Sequence, residues 1–107
     1  MWIDDAIEKA GEPIDVDVEA LGIGVETIQV IPLSAAEFNV LKSHPEVRSL
    51  TGDDRSEMLG LLMVCEMMRK ADSEVTWAKM KRLPLTTLGA LATAVTAAVG
   101  TEGALGE

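Results

Sequence analysis

The chain has 107 residues, enough for one domain with a modest core but not for two. Apolar residues make up 48% of it, which excludes wholesale disorder, yet aromatics make up only 3%: Trp2, Trp77 and Phe38. The net charge of -9 sits in the amino-terminal half, where residues 1–54 hold twelve acids against three bases while residues 55–107 hold six of each; such a half repels phosphate, so nucleic acid is not expected as a partner.

Residues 1–13 read as a weakly ordered acidic segment with at most a helical turn through Ala6–Ala10, closed by Gly11-Glu12-Pro13. The acidic start offers no basic region of the kind a secretory signal needs, so a cytoplasmic protein is expected. Ile14-Asp15-Val16-Asp17-Val18-Glu19 alternates apolar and acidic residues, the mark of a strand with one buried face. Val25–Ile31 is rich in β-branched residues, and Leu21-Gly22-Ile23-Gly24 between the two runs is a turn. Residues 14–31 therefore predict a β-hairpin, which Pro32 ends because it cannot donate to a ladder.

Ser34-Ala35-Ala36-Glu37 spells a capping box for a short helix over about 34–43, stopped by His44-Pro45, with His44 at the helix carboxy-terminus. Thr51-Gly52-Asp53-Asp54 starts a second helix over about 54–71, with acids in its first turn where the helix dipole favours them. Met58, Leu61, Leu62, Cys65 and Met68 share one face of it, and Leu59, Met63, Val64 and Met67 carry apolarity round most of the rest. A helix of that kind is covered on several sides, either as a central core helix or as a Met-rich surface that engages another chain. A helical turn over 76–82 and a last helix over 84–99 follow, the latter with Pro84 in its first turn and Leu85, Leu88, Leu91, Ala92, Val95 and Val99 on one face. Residues 101–107 read as a flexible tail. The expected fold is α+β and predominantly α-helical, with an amino-terminal hairpin and three to four helices over residues 14–100.

No residue pattern asks for catalysis, a cofactor or a metal. One histidine and one cysteine fall short of a transition-metal site, and nothing in the sequence pairs His44 with Cys65 as base and nucleophile. Cys65 lies in an apolar run and reads as a buried, inert thiol. Gly22-Ile23-Gly24 begins like a dinucleotide loop but leads into a strand where a helix is needed. Arg69, Lys70, Lys79, Lys81 and Arg82 read as solvated cations near helix ends rather than as an anion site. Residues 83–101 carry no charge and follow a basic flank, as a short membrane span would. Pro84, five threonines, two glycines and many alanines in those residues favour buried contact in a helical assembly instead, and no membrane role is expected.

The order of these elements is similar to that of the small tail assembly chaperones of long-tailed bacteriophages. The resemblance is carried by the acidic start and hairpin, Ile31-Pro32-Leu33-Ser34-Ala35-Ala36-Glu37, the apolar helix, Val75-Thr76-Trp77, and Leu83-Pro84-Leu85 with Leu88 and Leu91. It covers about residues 15–100 in pattern and size. It implies a protein without enzymatic activity, made in the infected bacterial cytoplasm, that coats the hydrophobic helical tape measure protein until tail tube subunits replace it. Contact with such a client, or with further copies in a homo-oligomer, is expected from Met58, Leu62, Met63, Met67 and Met68 together with Leu88, Leu91 and Val95. On that reading, replacing Met63 and Met67 by Glu abolishes client binding and leaves the hairpin folded. A structural virion component, such as a connector or tail subunit, or another small protein-binding adaptor is the alternative.

Overall fold

The computed structural model describes the backbone of residues 1–103 and the side chains of residues 1–99. In chain order the elements are α1 (Trp2–Ala10), β1 (Ile14–Asp17), β2 (Thr27–Val30), α2 (Ala35–Leu41), α3 (Pro45–Arg48), α4 (Gly52–Ala71), α5 (Trp77–Met80) and α6 (Leu85–Gly103). The fold is α+β: six helices and a two-stranded antiparallel hairpin among the described residues. Helix α6 runs to Gly103, past the expected end at residue 99, so the first three residues of the expected tail over 101–107 are helical and the rest lie outside the described residues.

The hairpin follows its alternation. Ile14 pairs with Val30 and Val16 with Ile28, which places the apolar residues of both strands on one side. Val16 and Val30 are buried, while Asp15 and Gln29 face water and share a side-chain hydrogen bond of 3.0 Å. The strands are shorter than expected because the chain leaves the ladder early, forming a 3₁₀ turn at Glu19–Leu21 before Gly22 adopts φ 66°. A side chain at position 22 would strain that left-handed conformation, which glycine adopts freely.

Local chemistry explains the helix boundaries. In the capping box, the Glu37 amide donates to Ser34 Oγ at 3.1 Å and the Ser34 amide donates to Glu37 Oε1 at 2.8 Å. His44 follows α2, as expected, but it also caps the next helix: its Nδ1 accepts from the Glu46 amide at 3.0 Å, and Pro45 opens α3. Proline lacks the amide that a first helical turn leaves unpaired, so it starts a helix as readily as it ends the one before. Glu46 of α3 also accepts from Trp77 Nε1 of α5 at 3.2 Å and lies 3.6 Å from Lys81 Nζ, tying the two short helices together.

The first segment is more ordered than expected. Residues 2–10 form a full helix, with Asp4 and Asp5 in its first turn and Lys9 in its last, as the dipole favours. None of its residues is buried.

The core sits where the hairpin lies across the α4–α6 pair, β2 against α4 and β1 against α6. Val16, Val18 and Val30 from the hairpin meet Val64, Cys65, Met67 and Met68 of α4, Met80 of α5, and Leu88, Leu91, Val95 and Val99 of α6. A smaller cluster of Leu41, Val47 and Leu62 secures α2 and α3 to the other flank of α4. The apolarity round α4 is thus largely consumed within the chain: hairpin on one side, α6 on another, α2 and α3 on a third.

Candidate functional site

Eight residues were expected to contact a client or another copy, and the fold divides them. Leu62, Met67, Met68, Leu88, Leu91 and Val95 are buried in the core, because α4 and α6 are the elements against which everything else packs. Met58 and Met63 remain half-exposed. The expectation that Glu at positions 63 and 67 would spare the fold is therefore corrected. Met67 is 6% exposed, and its carbonyl accepts from the Ile31 amide at 3.0 Å, where the end of the hairpin meets α4.

Met63 faces an open, apolar groove of about 390 Å³. Pro32, Leu33 and Ala35 form one wall with Phe38 of α2, Met63 and Met67 of α4 lie across from them, and Thr96 and Val99 of α6 close the end. Sequence reading missed the contribution of the 32–38 segment. Its available signal was Phe38, the only phenylalanine of the chain, on a short helix that follows a proline. Phe38 is half-exposed and belongs to neither core cluster.

The groove offers little to a polar ligand. Among the described residues its only side-chain hydroxyls are those of Ser34 and Thr96, and Ser34 Oγ is already engaged at the helix cap. Pockets for small polar molecules carry several convergent polar groups. This one instead presents two flexible methionines and an aromatic ring, surfaces that adapt to varied apolar side chains.

Two lysines lie beside residues of its wall. Lys70 Nζ donates to the Pro32 carbonyl at 2.9 Å and to Glu37 Oε1 at 2.7 Å. Lys42 Nζ lies 5.5 Å from the centre of the Phe38 ring and forms no ion pair among the described residues. The Lys70 hydrogen bond, with that from the Ser34 amide, holds the Glu37 carboxyl below its ordinary value of 4.5. Glu37 thus favours folding above its unfolded value and loses that contribution as pH falls through its lower folded one. Arg69, paired with Glu66, is raised further above the ordinary guanidinium value.

Cys65 is buried in the main core with Val16, Val18 and Val30 of the hairpin region. Burial, reinforced by the Glu66 charge, pushes its thiol from 9.0 up to about 11. Alkylation at pH 8 should therefore be at least about a hundredfold slower in the native chain than in urea, since each pKa unit costs tenfold in thiolate. The thiol's proton is held more tightly in the folded state, so its contribution to stability is full below about pH 9 and is lost as pH rises towards 11. A native labelling rate equal to that of free cysteine would place the thiol outside the core.

A second groove, of about 440 Å³, runs between α4 and α6 past Ser56, Gly60, Gly89 and Ala92, with Glu57 and the exposed Leu85 at its edge. Among the described residues no helix is long and apolar enough to cross a membrane. No family model, curated protein or solved structure matches the chain.

Proposed function

We propose that the chain is a protein-binding chaperone of the tail assembly kind, which covers apolar helical segments of a long client such as a tape measure protein and keeps it soluble. The observation that carries this reading is the open groove of Pro32, Leu33, Phe38, Met63 and Met67, apolar, lined by adaptable side chains and without a set of polar groups for a small ligand. An amphipathic helix lays its apolar face into a groove of this kind. The acidic surface elsewhere supports the same role, because like charge keeps loaded complexes apart in solution. The order of elements that resembles the phage chaperones adds the client class. The mechanism is reversible burial of apolar helix faces, with no chemical step.

A structural subunit of a particle is the second reading, favoured by one observation: among the described residues none of the apolar side of α1 is buried. Co-expression with a tape measure protein separates the two. The chaperone reading expects a soluble complex holding several copies of this chain per client, from a client that precipitates alone, with its mass measured by light scattering. A client that stays insoluble beside closed rings of this chain would support the structural subunit instead.

A further inference from the structure

The helix α1 is divided cleanly in two. At 100° per residue, Trp2, Ile3, Ala6, Ile7 and Ala10 occupy one half of its circumference, and Asp4, Asp5, Glu8 and Lys9 occupy the other. Among the described residues none of the apolar half is buried: Trp2 is 75% exposed, Ile7 65% and Ile3 40%. Nine residues are fewer than the roughly 12–15 that an isolated helix needs to hold its shape in water. Such a helix is stable when something lies against its apolar side.

Charge selects what that is. The polar half of α1 carries three acids and one base, whereas helices that lie on membrane surfaces carry Lys and Arg there. An anionic bilayer would repel α1. Of the other grooves among the described residues, the one between α4 and α6 has Glu57 in its lining, with Asp53 and Asp54 one turn earlier on α4, and the one between β2 and the end of α4 has Asp72. Both repel an acidic helix as well, and a third, beside Met80, sets Glu74 against Lys79. Beside the Phe38–Met63 groove the balance is opposite: Lys70 offsets Glu37, and Lys42, next to the Phe38 ring, pairs with no carboxylate among the described residues.

We propose that α1 of a second copy of this chain seats its Trp2–Ile3–Ile7 side in the groove of Pro32, Leu33, Phe38 and Met63, with its acids facing Lys42. Topology favours a reciprocal exchange. Residues 11–13 join α1 to Ile14, and Ile14 pairs with Val30, two residues before Pro32. Each α1 therefore leaves its own chain close to one end of that chain's groove, so two copies related by a twofold axis can trade helices across one interface. Covering Trp2 alone removes on the order of 150–200 Å² from water. Two such helices, each burying an apolar side and a groove, reach the roughly 1,200–2,000 Å² that stable association requires.

The test uses the full chain without any client, so its outcome is independent of the chaperone reading. Light scattering across a concentration series should give the native chain a mass of two copies or more. Ile7→Asp and, separately, Phe38→Asp should weaken self-association at least tenfold while circular dichroism stays native, since neither residue belongs to the core. Lys42→Glu should weaken it several-fold, and combining it with Asp4→Lys and Glu8→Lys should restore it. Chains carrying Ile7→Cys, mixed with differently tagged chains carrying Phe38→Cys, should form a disulfide between copies under mild oxidation; the native Cys65 is buried. A native chain with the mass of one copy at every concentration would overturn the proposal. So would self-association unchanged by Ile7→Asp, or absence of the mixed disulfide.

Discussion

Met67→Glu is expected to unfold the chain, whereas Met63→Glu, one helical turn away, is expected to leave it folded. Both methionines reach the same groove, but Met67 forms part of its floor and of the main core, packed among Val30, Cys65 and Leu91 in one cluster. Removing a buried methionine side chain costs about 2–5 kcal/mol, and an unpaired carboxylate in its place adds several more unless it takes up a proton. Domains of this size are held by about 5–15 kcal/mol in total. The Met67→Glu chain should therefore show a urea midpoint near zero, or no cooperative transition at all. Met63→Glu can turn its carboxylate to solvent and should lose about 1 kcal/mol or less, as surface-accessible substitutions do. Equal midpoints for the two variants would mean that the hairpin does not close over α4 at Met67.

That contrast marks the boundary of what the sequence disclosed. The hairpin was legible because the alternation of Ile14, Val16 and Val18 with acids has one physical solution, a strand wet on one side. The capping box at Ser34 and Glu37 was legible because it is local chemistry. Helix α4 was legible as a helix, but nine apolar residues spread round its circumference do not say which side the hairpin takes and which is left over. Six of the eight expected contact residues proved to be core for that reason: burial is decided by elements that arrive from far along the chain. The groove wall from Pro32 to Phe38 was hidden differently. Those residues lie between two elements, and periodicity carries no signal there. Helix α1 escaped because it is short and acidic, and because it adds no buried residue to the core.

If the groove is the client site, a charge at its lip should abolish client capture without disturbing the fold. Phe38→Asp removes an aromatic contact and sets a carboxylate where an apolar helix would lie; truncating a central aromatic anchor costs about 2 kcal/mol or more at protein interfaces, and desolvating the new charge adds to that. Capture of a tape measure protein in the co-expression assay should fall at least about thirtyfold on those magnitudes, and Met63→Glu should act in the same direction. Leu85→Asp is the control of equal chemistry: Leu85 is 78% exposed at the edge of the other groove, and its replacement should leave capture unchanged. Loss of capture with Leu85→Asp, beside normal capture with Phe38→Asp, would move the client to the α4–α6 groove. Ile7→Asp completes the set. It sets a charge in the apolar face of the acidic helix but leaves the groove intact, so it should weaken pairing between copies at least tenfold while capture is kept or strengthened, because a neighbour's α1 and a client helix compete for the same residues. Capture lost together with pairing in Ile7→Asp would mean instead that the client is held by α1 itself, and that the groove serves only the contact between copies.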